Sequence, residues 1–357
     1  MSCEPLVNTF ENVENAELYR ANVITVPAVV PDTLKVMTWN IRFGAGRIPW
    51  FGDGCGDRVI LTESEVMSGL NSIATFINSE NLDIILLQEV DVFSKRTAYV
   101  DQVQWLLDNT GFNYGAFASM WEAQVIPSDG LGRVNTGNAI LSKWNITDAE
   151  RIQLPLRGDQ EGLVQYFFLR RNILKAKINV SAENDFYAVN IHATAFATDD
   201  TKQKHIDKFK VTLAELNDME TFFVAGGDLN SIPPNASFFD FCEIDKCAGE
   251  IVHTEADGGP HLNGSYFNNF NGEQTLLQPL YEVYFPAVDI SYEHGSEDSS
   301  YTHTTWNTAE ETERDWDRKL DYLFSNKSWV VESGESHQDA FYLSDHAPVS
   351  AKIETLE

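Results

Sequence analysis

The sequence predicts a mixed α/β domain in which two packed β-sheets lie between outer helices. Three observations carry this: a strand–helix–strand unit opens the core, several strand-like segments follow without helices between them, and a second helix–strand unit occurs near residue 220. Nothing marks an internal linker, so residues 34–357 read as one domain behind an N-terminal arm of residues 1–33.

The arm carries Pro27, Pro31 and little periodicity. LKVMTWNI, from Leu34, alternates as a strand does. Thr62 and Glu65 form a capping-box pair ahead of Val66, Leu70, Ile73 and Ile77, which are spaced for one helix face. DIILLQEV, from Asp83, is a continuous apolar run typical of a strand buried on both faces. A second helix is expected from Tyr99 to Asn109, closed by Gly111. NYGAFAS, GNAILS, RNILKAKINV and DFYAVNIHA then read as consecutive strands, which argues for antiparallel or mixed pairing. KQKHIDKFKVTLAEL sets Ile206, Phe209, Leu213 and Leu216 on one helix face, and TFFVAGGD after it reads as a buried strand. From Pro233 to Glu313 the chain is rich in Gly, Asn, Ser and aromatics and reads as long loops with short strands; RKLDYLF and APVSAKI close the domain.

Composition narrows the partners. With 357 residues, 43% of them hydrophobic and 12% aromatic, the chain can bury a sizeable core. Acidic residues outnumber basic ones 54 to 25, a net charge of −29 that repels polyanions, so nucleic acid is a disfavoured partner. The same excess makes an arbitrary Asp or Glu a solvated surface group until its context says otherwise. Cys3, Cys55, Cys242 and Cys247 lack the paired spacing of a zinc site; Cys242 and Cys247 are close enough to bridge, or are free thiols. No apolar run approaches the roughly 20 residues of a membrane span. Ser2-Cys3 before an acidic linker looks like the start of a mature bacterial lipoprotein whose leader has been replaced by Met, which would make the chain periplasmic or lipid-anchored; the alternative is a plain cytoplasmic N-terminus. A monomer is expected.

Five apolar strand-like stretches end in polar side chains: TWN at Asn40, LLQE at Glu89, NIHA at His192, GGDLN at Asp228 and Asn230, and SDHAP at Asp345 and His346. Strand ends are where α/β proteins build sites, so these five predict one shared pocket. Asp228 and Asn230 point to the same side if the extended conformation persists, and Gly226 and Gly227 admit a close approach of substrate or neighbouring backbone. The alternative for GGDLNS is a plain turn. A buried carboxylate at Glu89 needs compensation, either from a hard divalent cation such as Mg²⁺ or from an arginine. Asp345 and His346 can share a site only at a bend before APVSAKI, and Asp321 in RKLDYLF, an inward candidate expected on the adjoining strand, is placed to orient the His346 imidazole. His205, His253, His261, His294, His303 and His337 have no such context, and His205 is expected on the solvent side of its helix.

TWN, LLQEV, GNAILS, NIHA, GGDLNS, KLDYLF and SDHAPV, in that order from residue 38 to 349, resemble the endonuclease/exonuclease/phosphatase superfamily of DNase I-like nucleases, neutral sphingomyelinases and inositol-polyphosphate phosphatases. The resemblance implies a four-layer α/β sandwich and hydrolysis of a phosphoester by in-line attack of water, with Mg²⁺ as cofactor and Mn²⁺ or Ca²⁺ as alternatives. It makes Glu89 the principal metal ligand, with Asn40 and Asp345 on the metal or its waters. Asp228 is similar to the aspartate that positions or deprotonates the water, and Asn230 to the amide that holds phosphate. His192 and His346 resemble the histidines that contact phosphate oxygens and move protons, with Asp321 behind His346. The general base is left open between Asp228 and His346.

The resulting expectation is a phosphodiesterase acting on a small or lipid phosphoester. The alternatives are a nuclease, if Arg42, Arg47, Arg133, Arg170, Arg171 and Arg318 converge, and a catalytically silent phosphate-binding module. RFGAGRIPWFGDGCGDR, residues 42–58, offers Trp50 and Phe51 either as an exposed finger for a lipid surface or nucleobase or as a loop folded onto the core.

Overall fold

The computed structural model describes residues 6–25, 27, 29–51, 55–180, 185–197, 199–238, 241–245, 275–288, 297–305 and 315–355. Ser2, Cys3, His253, His261, His294 and most of residues 233–313 lie outside them. Among the described residues, two sheets of seven strands each form the interior. The first runs β13 (Glu335–Ser336), β14 (Val349–Glu354), β3 (Thr33–Asn40), β4 (Ile84–Asp91), β6 (Gly132–Ser142), β5 (Tyr114–Ile126), β2 (Glu17–Arg20). The second runs β1 (Val13–Asn15), β7 (Ile146–Gln153), β8 (Asn172–Ile178), β9 (Phe186–His192), β10 (Phe222–Asp228), β12 (Asp321–Ser325), β11 (Phe285–Pro286). Both sheets are mixed: β3 pairs with β4 and β9 with β10 in parallel, amid antiparallel neighbours.

The apolar runs are continuous because each central strand is buried on both faces. Val36, Ile84 and Leu86 face the second sheet, meeting Leu174, Ala188 and Val224. Met37, Ile85 and Leu87, one residue on, face outward onto Ile73 and Ile77 of α1 (Glu63–Glu80) and Leu106 of α2 (Gln102–Asn109). On the far side Ile206, Phe209, Leu213 and Leu216 of α4 (Thr201–Asp218) cover Val189, Phe223 and Ala225. Helix, sheet, sheet and helix make the four layers of an α/β sandwich.

Local signals set the helix ends. Thr62 accepts from the Glu65 backbone N–H while the Glu65 carboxylate accepts from Thr62 N, a complete capping box for α1. The second helix begins three residues later than Tyr99, because Asp101 caps it by accepting from Gln104 N and Ala98 and Tyr99 have positive φ. It ends on an extended Thr110, with no left-handed glycine. The polar stretch ITDAERIQ, which carries no strand-like run, is β7, and residues 13–20 of the arm lie on the domain as edge strands, β1 on β7 and β2 on β5.

Buried amides bolt one sheet to the other. Gln88 Nε2 on β4 donates to Asn190 Oδ1 on β9 at 2.7 Å, and Asn190 Nδ2 donates to the carbonyls of Leu87 and Ala139 at 2.8 and 2.9 Å. Asn138 of GNAILS donates to Asn172 Oδ1 at 3.1 Å, while Asn172 Nδ2 reaches the Ser119 carbonyl at 3.0 Å. A slip of one sheet over the other would orphan these groups, which is costly in the interior, so the amides fix how the strand ends align. The two glycines of β10 serve the pairing within the second sheet. A Cβ on Gly226 would stand 1.9 Å from the Tyr322 carbonyl oxygen, and one on Gly227, at φ 141°, 1.9 Å from that of Ile191. It is neighbouring backbone that these glycines admit.

Candidate active site

Each sheet delivers part of one polar cluster. The second contributes His192 at the end of β9, Asp228 at the end of β10 and Asp321 at the start of β12; Asp228 is the register partner of both others. The first contributes Asn40 at the end of β3, Glu89 on β4, and Asp345 and His346 in the bend before β14. GGDLNS ends β10 in a turn, and the turn lines the cleft. Asn230 leaves the extended conformation, with φ 47°; its N–H donates to Asp228 Oδ1 at 2.9 Å and its Nδ2 to the Ala193 carbonyl at 3.1 Å. A side-chain-closed turn, not strand periodicity, brings Asn230 beside Asp228.

Glu89 is not the last residue of its strand. β4 continues to Asp91 through a bulge at Glu89, where φ is 55° and the pairing with β6 slips between Leu87 and Val90. Bulges re-aim side chains, and this one turns the carboxylate into the cleft. Glu89 Oε1 accepts from Asn40 Nδ2 at 3.3 Å and lies 4.0 Å from His192 Nε2. Beside it, Asp345 has a cationic partner, with Arg42 Nε 3.2 Å from Asp345 Oδ2.

Asp228, almost fully buried, is the hub. Its Oδ2 lies 3.1 Å from Asn40 Nδ2, 3.2 Å from His192 Nε2 and 3.7 Å from His346 Nε2. Burial alone raises the pKa of its carboxyl, but His346 and His192 outweigh burial and hold it below the usual carboxylate range. His346 Nδ1 meets Asp321 Oδ2 at 2.8 Å. Asp321 is therefore the orienting carboxylate, although it belongs to the opposite sheet and not to a strand adjoining β14. Burial lowers the His346 pKa, yet Asp321 and Asp228 raise it more, to about 10. His192 goes the other way: burial, reinforced by Arg171, pushes it down to about 4 against the pull of Asp228. The two imidazoles are thus pushed in opposite directions, His346 up by Asp321 and Asp228 and His192 down by burial and Arg171.

Glu89, His192, Asp228, Asn230, Asp345 and His346 open together into a cleft of about 360 Å³. Asn40 and Asp321 stand behind them, fully buried. Trp50 and Phe51 form part of the cleft wall, folded onto the core: Trp50 packs edge-on against Phe43 at 5.1 Å, with Phe51 against it at 4.6 Å. The candidate arginines do not converge. Arg42 pairs with Asp345, Arg47 donates to the Phe341 and Thr304 carbonyls, Arg133 to Gln124, Arg170 to the Tyr166 and Phe168 carbonyls, and Arg318 to Asp245. Arg171 alone of the six lines the cleft.

Two histidines depart from the sequence reading. His303 is buried with its ring tilted against that of His346, centroids 4.4 Å apart, and burial holds its imidazole well below the ordinary value. No local pattern marks it, since its loop joins the site through a backbone bridge to His346. His205 is 1% exposed, not on the solvent side: its Nδ1 accepts from Thr194 N at 3.1 Å and its Nε2 faces the Pro155 carbonyl at 2.8 Å. That pairing fixes the neutral tautomer, and burial holds the pKa at about 4, down from 6.5. The unfolded chain therefore takes up a proton before the fold does. The stability this group contributes, about 3 kcal/mol, is complete above pH 6.5 and is lost as the pH falls from 6.5 towards 4. Urea unfolding of the wild type is expected to weaken over that window, and of His205→Gln to weaken less; equal slopes would remove His205 as the cause. Cys55 forms a disulfide that the cysteine spacing does not anticipate.

Residues 37–346 match the Endonuclease/Exonuclease/phosphatase family, and the chain belongs to that family, a group of hydrolases that act on phosphoester bonds. Among solved structures, it is similar to an endonuclease/exonuclease/phosphatase from Beutenbergia cavernae, with 18% identity, a TM-score of 0.54 and coverage of 91% of this chain and 72% of that one. It is also similar to family proteins from Leptotrichia buccalis (16% identity, TM-score 0.54, 90% and 100% covered) and Bacteroides vulgatus (16%, 0.51, 91% and 99%). At these identities the likeness concerns the fold. No curated protein matches the chain.

Proposed function

We propose that residues 34–357, preceded by an arm of residues 1–33, form a divalent-metal-dependent phosphodiesterase acting on a small or lipid phosphoester. The observation that carries this reading is Asp228 held between two imidazoles in one cleft, with Glu89 beside one of them and Asp321 buried behind the other.

The donor set fits a hard cation. His346 has both ring nitrogens facing carboxylates and so serves as a donor, which leaves Glu89, Asp345 and the Asn40 amide as oxygen ligands of the kind Mg²⁺ takes. When bound, the cation supplies positive charge to a phosphoryl oxygen and to the departing oxygen. The chain's own residues do the rest. Asp228, an acceptor fixed by Asn230 N and Asn40 Nδ2, orients the attacking water in line with the scissile bond and accepts its proton. His346, oriented by Asp321, and His192 donate hydrogen bonds to phosphoryl oxygens as their charge grows, and Asn230 holds a further oxygen. His346, positively charged, is the nearer proton source for the leaving group.

Support for a small or lipid substrate over nucleic acid comes from the net charge of −29 and the modest cleft. The test is hydrolysis of bis-p-nitrophenyl phosphate, sphingomyelin, inositol phosphates, and single- and double-stranded DNA, with Mg²⁺ and with EDTA. Small or lipid diesters should be cleaved fastest with Mg²⁺, and EDTA should abolish the reaction. Activity that persists in EDTA would overturn the metal-dependent mechanism; duplex DNA as best substrate would make the chain a nuclease.

A further inference from the structure

The short helix α3 (Gly162–Phe167) buries none of its residues. It holds Leu163 75% exposed, Val164 53% and Tyr166 37%, apolar side chains that folding alone has no reason to leave in water. Only Phe167 packs against the core, beside Trp121, and the rest of α3 is held by polar ties that lead to the cleft. Gln165 Nε2 donates to the Arg157 carbonyl at 2.6 Å, and Trp121 Nε1 donates to the Phe167 carbonyl at 2.7 Å; Arg157 and Trp121 both line the cleft. The next residues in the chain, Phe168 and Leu169, line it too. An exposed apolar surface on the rim thus continues into an apolar wall that ends at Asp228 and His192.

We propose that α3 is an interfacial anchor that inserts Leu163, Val164 and Tyr166 into a zwitterionic phospholipid surface, presenting a headgroup phosphoester to the cleft. The inference rests on the phosphoester-hydrolase reading above. One molecule satisfies both halves of the surface: an apolar body with a phosphoester at its polar end. A cleft of about 360 Å³ is at the small end for ligand sites, so it takes a headgroup while the acyl chains stay in the membrane. Tyr166 has the apolar ring and polar tip that suit the boundary between the two. The charge of −29 selects a neutral surface, since an anionic leaflet repels the protein.

Vesicle flotation tests this. The full chain should float with phosphatidylcholine–sphingomyelin vesicles and less with vesicles enriched in phosphatidylserine. Leu163→Asp/Val164→Asp should lower the partition coefficient roughly 10- to 100-fold, because two side chains no longer leave water. Both positions lie on the surface, so Tm and the hydrolysis of water-soluble bis-p-nitrophenyl phosphate should not change. A wild type that fails to float with the zwitterionic vesicles, or a double variant that floats as well as the wild type, would overturn the anchor. Flotation without cleavage of any phosphoester would instead sink the enzymatic reading and leave the surface reading standing.

Discussion

Asp228→Asn is expected to lower kcat on a phosphodiester by about 10³-fold with little change in KM, a loss within the usual range for removing a general base. The substitution keeps the shape, and the new Oδ1 can still accept from Asn230 N. It removes the charge and turns one acceptor into a donor that faces Asn40 Nδ2 at 3.1 Å and His192 Nε2 at 3.2 Å. The damage therefore falls on proton transfer and on the alignment of the cluster. Thermal unfolding run alongside separates this from simple destabilisation, since a folded variant with a kcat reduced less than about 10-fold would remove Asp228 from the role of base.

Glu89→Gln is expected to raise the Mg²⁺ concentration for half-maximal activity at least about 10-fold and to weaken Mn²⁺ binding in direct titration by a similar factor. The argument is electrostatic. Glu89 is turned into the cleft by a bulge, its side chain 25% exposed, and among the candidate oxygen ligands Asp345 already has Arg42 at 3.2 Å. A neutral amide offers a hard cation one oxygen and no charge. The substitution leaves the strand pairing untouched, so the fold should persist. An unchanged metal titration would count against Glu89 as a ligand.

Much of the cluster is legible in the sequence because strand ends are written locally. Asn40, His192 and Asp228 each close an apolar run that reads as a buried strand, and His346 stands just before one. Thr62 and Glu65 announced a helix start for the same reason: the cap is a four-residue event. The bulge at Glu89 and the strand ITDAERIQ were not legible, since each is decided by a neighbour in space.

The sequence by itself determined the layers, the order of the strands that carry the polar residues, and the excess of negative charge that disfavours polyanions, because period, burial and charge are properties of short stretches. Only the tertiary structure decided that Asp321 reaches His346 from the opposite sheet, that His303 lies against the same ring, that His205 is locked inside and that of the six candidate arginines Arg171 alone lines the cleft. Those facts depend on how two sheets sit on one another. That alignment is set by amides such as Gln88 and Asn190, whose partners lie about a hundred residues away in the chain and a single hydrogen bond away in the fold.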